Sequence, residues 1–176
     1  MSVCRGQTKY RRAVLRICAE KDGNTFCMPE KRKSAEAKMN IFEHLSPDEL
    51  LARIIWGEAR GESVEGQIAV GCVVRNRAHN PLWWGDGYKT VMLKPYQFSC
   101  LNVNDPNYEK VKNLDIRSDP VARQCLYIAR GIITRMILDN VNGANHFLNY
   151  QYIEHTSWTK RKTPVRIIGN HWFYKL

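Results

Sequence analysis

The sequence lacks the residue patterns of most metal and cofactor sites. It contains no HExxH pair, no P-loop and no Gly-rich dinucleotide fingerprint, so no pattern supports a zinc hydrolase, an ATPase or a nicotinamide enzyme. The six cysteines include no CxxC pair, and none follows a strand in the way that exposes a cysteine nucleophile. We expect no cofactor and no metal, although three of the five scattered histidines could still meet in space. Disulfide pairing among Cys4, Cys18 and Cys27 stays open.

Long hydrophobic runs are also missing. The longest run, Ile68 to Val74, is far shorter than the roughly 20 residues that a membrane-spanning helix needs. The basic N-terminus is not followed by the apolar stretch of a secretory signal. We therefore expect a chain with no transmembrane segment, made in the cytoplasm without a signal peptide.

Positive charge is abundant. The 176 residues carry a net charge of +10, with 44% hydrophobic and 25% charged residues, as in an ordinary globular domain. Residues 1–40 hold ten basic and four acidic side chains, which predicts a basic N-terminal arm over 1–45, partly helical around 10–20, and one domain over 46–176. Such a surplus favours a polyanionic partner: nucleic acid, an anionic membrane or an acidic cell envelope.

The central stretch begins with Ser46-Pro47-Asp48-Glu49, which has the Ser N-cap, Pro and third-position Glu of a helix start. Apolar residues then recur at helical spacing, at Leu50, Leu51, Ile54 and Ile55. Glu58 lies four residues after Ile54, so the pattern directs its carboxylate toward the core. A charge there must be paired, hydrated in a cleft or held protonated. Its neighbours Gly57 and Gly61 leave room for a ligand. The structural alternative is an ion pair with Arg53, Arg60 or an arginine elsewhere in the chain.

Glu62 follows Glu58 by four residues and would share its helix face if the helix continued through Gly61. Such a pair raises the pKa of one carboxyl group, which suits a general acid. Most glycosidases place two carboxyl groups about 5–9 Å apart across the bond. Only Glu58 is clearly directed inward, which favours a single-acid mechanism.

The remaining pattern predicts a mainly helical α+β domain. Ser63 caps a second helix over 64–78, and Ser118-Asp119-Pro120 opens the longest helix, which should end at 140–143. Cys72 and Cys125 fall on apolar faces and should be core residues. The β-prone segments 145–150 and 165–174 predict a small C-terminal antiparallel sheet. After the second helix, the segment from Lys94 to Ser99 combines aromatic, amide and hydroxyl groups, as sugar and peptide sites do.

Three early segments resemble the signature of the SleB/CwlJ-type cell-wall hydrolases, a family found in spore cortex-lytic enzymes and phage endolysins. They are Ile55 to Glu62 (IWGEARGE), Glu65 to Val70, and Val73 to Arg77. Later pieces agree in order: Gln97-Phe98-Ser99, Ala144 to Phe147, Trp158 and Ile168 to Tyr174. The resemblance covers about residues 47 to 174.

The resemblance implies a lysozyme-like fold and cleavage of the β-1,4 bond between N-acetylmuramic acid and N-acetylglucosamine in bacterial peptidoglycan. It maps the catalytic acid to Glu58. Many members are lytic transglycosylases, in which one Glu protonates the leaving oxygen and then helps the muramoyl 6-hydroxyl close a 1,6-anhydro ring. The candidate substrate-binding residues are Glu62, Gln67, Gln97, Phe98, Ser99, Tyr150 and Tyr174. The alternative for Glu62 is to cap the second helix or bind Arg60, and the alternative for the other six is packing.

A single basic domain without an export signal fits a phage endolysin that causes host cell lysis. We expect such a protein to be a monomer that acts in the periplasm or cell wall, binds anionic envelope components through its basic arm and does not bind nucleic acid. The rivals are a hydrolytic muramidase, an N-acetylmuramoyl amidase, and a non-catalytic basic module for glycan or nucleic acid.

Overall fold

The structure, a computed structural model, describes residues 18–21, 24–27 and 41–176. The chain divides into two compact units, Met1–Lys38 and Met39–Leu176. In the first unit, β1 (Cys18–Lys21) and β2 (Asn24–Cys27) pair antiparallel, with Cys18 opposite Cys27. The helix expected over 10–20 is therefore wrong at its C-terminal end, where the backbone pairs with β2 instead. The rest of the predicted basic arm, up to residue 40, lies outside the described residues.

The second unit is a mainly helical α+β domain. Its α-helices are α1 (Pro47–Ala59), α2 (Val64–His79), α3 (Tyr88–Met92), α4 (Tyr108–Lys112) and α5 (Pro120–Ile133). Its antiparallel sheet has the order β3 (His146–Asn149), β5 (His171–Tyr174), β4 (Arg166–Ile168). Short 3-10 helices lie at Ile41–His44, Ser99–Leu101, Tyr150–Tyr152 and Ser157–Thr159. This architecture confirms the predicted fold class.

The three longer helices begin at the predicted caps. The Ser46 hydroxyl accepts a hydrogen bond from the backbone N–H of Glu49 at 3.4 Å, and Ser63 does the same for Gly66 at 3.2 Å. At the start of α5, the Asp119 carboxylate accepts from the Ala122 N–H at 2.8 Å. Each side chain thereby satisfies a backbone donor that has no partner within its helix.

The core lies where α1, α2 and α5 pack on one another. The apolar stripe of α1 is buried, including Ile54 and Ile55 at 0% exposure. Cys72 on α2 and Cys125 on α5 are also fully buried, which confirms them as core residues. No helix in the described part of the chain is long and apolar enough to cross a bilayer.

Helix α5 ends at Ile133, before the predicted end at Asn140, so α2 is the longer helix at 16 residues against 14. Arg135 adopts a left-handed conformation with φ +63°, and the Ile137 N–H donates to the Gly131 carbonyl at 2.9 Å. The Ile137 side chain occupies the space that a Cβ on Gly131 would fill. Apolar residues thus continue at helical spacing beyond the end of α5, because the chain after Ile133 folds back onto the helix.

Gly57 allows close contact between the last turn of α1 and the 3-10 helix at Ser99–Leu101. A Cβ built on Gly57 would lie 2.7 Å from both Cβ and Sγ of Cys100 and 3.1 Å from Val111 Cγ2. By contrast, a Cβ on Gly61 would meet no atom within 4 Å. Only the first of the two glycines is therefore required by packing.

We predict that Gly57→Ala lowers the free energy of unfolding by about 1–2 kcal/mol, because overpacking of about 1–3 kcal/mol exceeds the gain in helix propensity of about 1 kcal/mol. Gly61→Ala is the matched control and should change stability by no more than about 0.5 kcal/mol. Urea denaturation followed by circular dichroism measures both. Equal stability of the two variants would contradict the close contact.

Candidate active site

Glu58 lies in the last turn of α1 with its side chain half-buried. Its Oε1 accepts a hydrogen bond from the backbone N–H of Cys100 at 3.3 Å. The expected ion-pair partners point elsewhere: Arg53 donates to the Val111 and Leu114 carbonyls, and Arg60 donates to Asn107 Oδ1 at 2.9 Å. Among the described residues, Glu58 forms no ion pair, so neither Arg53 nor Arg60 is the partner that the structural alternative requires.

Burial raises the pKa of Glu58 above its usual value near 4.5, because a partly dry environment disfavours the ionised form. Hydrogen bonds from Cys100 lower the pKa, and the charge of Asp105 raises it. The net shift is upward, so burial outweighs the hydrogen bonds. A carboxyl group that retains its proton closer to neutral pH is suited to general acid catalysis.

The two glycines beside Glu58 differ in role. Cys100 and Val111 fill the space next to Gly57, so the expectation that Gly57 leaves room for a ligand is wrong. The space beside Gly61 is open, and this residue is exposed. Of the two glycines, only Gly61 therefore leaves space through which a ligand could approach Glu58.

Glu62 lies outside α1, which ends at Ala59, so the two glutamates do not share one helix face. The Glu62 carboxylate accepts hydrogen bonds from the Asn170 side chain at 3.0 Å and the Asn170 backbone at 3.3 Å. His171 Nδ1 lies 3.8 Å from Glu62 Oε1. Burial lowers the pKa of His171, while the Glu62 charge acts in the opposite direction. Glu62 therefore connects the α1–α2 loop to the turn between β4 and β5.

The residues from Gln97 to Ser99 differ in exposure. Gln97 Oε1 accepts a hydrogen bond from Arg77 Nη1 at 2.9 Å. Phe98 is 2% exposed, and the Arg77 guanidinium lies 5.7 Å from its ring centroid. Ser99 is exposed and begins the 3-10 helix that contacts Glu58. The structure thus brings Ser99 next to Glu58 and places Phe98 in the core.

Gln67 is buried between α2 and α5. Its Nε2 donates to the Glu62 carbonyl at 3.3 Å, and its Oε1 accepts from Gln124 Nε2 at 2.8 Å. At 2% exposure, the side chain has almost no surface for a ligand. These contacts make Gln67 a structural link beside Glu62.

The two tyrosine candidates also differ. Tyr174 is 1% exposed and packs edge-on against Trp158 at 5.3 Å between ring centroids, so its ring is not open for stacking on a sugar. Tyr150 is 51% exposed, and its backbone N–H donates to the Asn170 carbonyl at 2.9 Å. Of the two rings, only that of Tyr150 is accessible, beside the turn that binds Glu62.

Four residues around these side chains were not predicted from the sequence: Arg77, Cys100, Asp105 and Asn170. Arg77 and Asn170 belong to segments that carry the family resemblance, so the resemblance could have identified them as candidates. Cys100 and Asp105 had no such signal, since neither belongs to a recognisable local motif. No cluster of three or more His, Cys, Asp or Glu side chains within residues 41–176 is arranged to hold a metal ion.

Comparison with known proteins identifies the family. The Cell Wall Hydrolase family model matches residues 61–174, beginning three residues after Glu58. Spore cortex-lytic enzymes are similar in sequence: that of Halalkalibacterium halodurans is 27% identical over 71% of this chain and 33% of its own length. The enzyme of Oceanobacillus iheyensis is 26% identical over 72% of this chain and 41% of its own. This chain therefore spans less than half the length of these relatives.

The fold is similar to solved structures of SleB catalytic domains. The catalytic domain of the germination-specific lytic transglycosylase SleB from Bacillus anthracis superposes with a TM-score of 0.57 at 22% identity, over 75% of this chain and 98% of that domain. The Bacillus cereus SleB catalytic domain gives 0.55, also at 22% identity, over 78% and 98%. These similarities confirm the lysozyme-like fold. Because the family model matches well over half of the sequence, the chain belongs to the cell wall hydrolase family.

Proposed function

We propose that the chain cleaves the β-1,4 bond between N-acetylmuramic acid and N-acetylglucosamine in peptidoglycan as a lytic transglycosylase. The observation that carries the proposal is the half-buried Glu58 carboxyl group, whose pKa is raised by burial. The name of the family points to breakdown of the cell wall, and the similar SleB catalytic domain from Bacillus anthracis is named a lytic transglycosylase.

In the proposed reaction, the protonated Glu58 donates its proton to the glycosidic oxygen, and the bond from that oxygen to the muramoyl C1 breaks. The resulting Glu58 carboxylate accepts the proton of the muramoyl 6-hydroxyl as its oxygen bonds to C1. The products are a chain ending in 1,6-anhydromuramic acid and a free N-acetylglucosamine hydroxyl. The proton returns to Glu58, so one carboxyl group suffices.

The contacts of Glu62 support a single-carboxylate mechanism. Hydrogen bonds from Asn170 occupy the Glu62 carboxylate, and its side chain is 11% exposed. A second catalytic carboxylate would have to face the sugar or an attacking water. Engagement with Asn170 argues against this role and therefore against a hydrolytic muramidase, which remains the second candidate.

We further propose an endolysin role at the bacterial cell wall. The net charge of +10 would favour association with acidic envelope polymers, since opposite charges accelerate encounter and strengthen surface binding. Under this proposal, the protein lyses a phage-infected host and has antimicrobial activity against exposed peptidoglycan.

We predict that Glu58→Gln lowers turnover of purified peptidoglycan by about 10²–10⁴-fold, because the amide cannot donate an acidic proton. Glu49→Gln makes the same change at an exposed position of the same helix and should retain activity. Turbidity loss of a sacculus suspension measures both, and circular dichroism checks that each variant is folded. Undiminished lysis by Glu58→Gln would rule out the catalytic assignment.

We predict that mass spectrometry of the soluble products finds 1,6-anhydromuramoyl ends, which are lighter by one water than reducing ends. The ring forms because the muramoyl 6-hydroxyl, rather than water, attacks C1. Reducing ends would identify a muramidase, and free stem peptides with intact glycan would identify an amidase.

We predict that Glu58→Gln also stabilises the fold, more so at pH 8 than at pH 4. A carboxyl group whose pKa is raised on folding contributes stability at low pH, which is lost as pH rises through the folded-state pKa. The neutral amide avoids that loss. For a chain of this size, each kcal/mol of gain would raise Tm by about 2–4 °C. Scanning calorimetry at both pH values tests the prediction, with Glu49→Gln as control. A Tm difference that does not grow with pH would contradict the raised pKa.

A further inference from the structure

Tyr96 is the most exposed large side chain near the candidate active site, at 87%. It adopts a left-handed backbone conformation with φ +65°, which is uncommon for an aromatic residue and is strained. The turn is closed by a hydrogen bond from the Gln97 N–H to the Lys94 carbonyl at 3.2 Å, and Arg77 holds the Gln97 side chain. The fold thus exposes the Tyr96 ring to solvent, although the backbone at this residue is strained.

This ring borders a surface groove of about 350 Å³, within the range of about 300–1,000 Å³ that is typical of small-ligand sites. Residues that line the groove include Lys94, Tyr96, Leu101, Asn102, Val103 and Asn104. One wall of the groove continues in sequence from the segment that contacts Glu58. Leu101 and Asn102 directly follow Cys100, whose backbone N–H binds the Glu58 carboxylate.

The groove combines three chemical features. Its apolar surface includes Leu101 and Val103, the latter 75% exposed. Within the described part of the chain, the side chains of Asn102 and Asn104 have no hydrogen-bond partner and Lys94 has no ion-pair partner. No acidic side chain is among the residues that line the groove, all of which are described. The groove therefore offers apolar contact, free amides and one unneutralised cation.

A short peptide with alanine methyl groups and free carboxylates matches these features. Methyl groups can cover the apolar surface, backbone amides can pair with the asparagine carboxamides, and a carboxylate can approach Lys94. A sugar would use the tyrosine ring and the amides but would leave the cation and much of the apolar surface unmatched. Peptidoglycan carries such a peptide, the stem, on each muramic acid residue.

From this groove we infer that the chain binds the stem peptide next to the scissile bond, between Tyr96 and the 102–104 segment. The inference rests on the proposed function, because it assumes that Glu58 acts on peptidoglycan. The protein then distinguishes stem-bearing from peptide-free glycan, with Tyr96 and Lys94 as determinants of specificity.

The test compares kcat/KM on two substrates: purified peptidoglycan with intact stems, and the same glycan stripped of stems by an N-acetylmuramoyl-L-alanine amidase. The full chain should prefer the intact substrate by about tenfold or more. Tyr96→Ala should lower the intact-to-stripped ratio about tenfold, because one apolar contact of this size contributes about that factor. Lys94→Gln should lower it about threefold, with a smaller effect at high salt.

Tyr127→Ala is the matched control, since Tyr127 is 73% exposed on α5 and does not line the groove. It should leave the ratio unchanged. An unchanged ratio in Tyr96→Ala overturns the inference. If the ratio is unchanged because kcat/KM falls equally on both substrates, the groove binds the glycan chain instead.

A binding measurement separates this inference from the proposed function. If the full chain cleaves neither substrate, the proposed activity fails, and the groove is tested by NMR titration with N-acetylmuramoyl tripeptide. Amide shifts at Tyr96 and Asn102, absent with N-acetylmuramic acid alone, support the peptide site. Absence of shifts at these residues, or equal shifts with both compounds, overturns it.

Discussion

The hydrogen bond from the Cys100 N–H to Glu58 joins the end of α1 to a segment 42 residues away in sequence. The contact depends on Gly57, because any side chain there would overlap Cys100. Burial of the Glu58 carboxyl group raises its pKa, and the hydrogen bonds from Cys100 act in the opposite direction without reversing the shift. The same segment therefore closes the packing around the end of α1 and supplies a hydrogen bond to the proposed catalytic acid.

Arg77 is the second organising residue. It is 6% exposed and donates to the Asn145 carbonyl at 2.6 Å and to Gln97 Oε1 at 2.9 Å. Burial lowers its pKa to about 10, so the guanidinium remains charged at neutral pH. A buried cation needs such acceptors to offset its lost hydration. These bonds tie the C-terminal half of α2 to the segment at 97–101 and to the start of the sheet.

The separated motif pieces of the sequence are joined in space by these contacts. Arg77 connects the segments around residues 73–77, 97–99 and 144–147, while Glu62 connects the α1–α2 loop with Asn170. The motifs that are separated along the chain are thus connected by polar contacts in the folded domain. Several residues that resembled ligand contacts, Gln67 and Phe98 among them, instead pack within or next to this network.

Rules that act within one or two turns of a helix predicted much of the domain. Caps at Ser46, Ser63 and Asp119 marked the starts of the longer helices, and apolar periodicity identified the core faces. The same periodicity failed at the end of α5, because Ile137 packs back on Gly131 without continuing the helix. Apolar spacing indicates which side chains are buried, but it does not indicate where the helix ends and the backbone turns.

By itself, the sequence determined the mainly helical fold with its C-terminal sheet and the inward direction of Glu58. Only the tertiary structure decided which neighbours Glu58 and Glu62 have, and which aromatic rings reach solvent. The cause is sequence separation: Glu62 meets Asn170 across 108 residues, and burial of a side chain depends on every segment that packs over it. Local propensity and spacing carry no information about such contacts, whereas the folded chain sets both the pKa of Glu58 and the exposure of Tyr96.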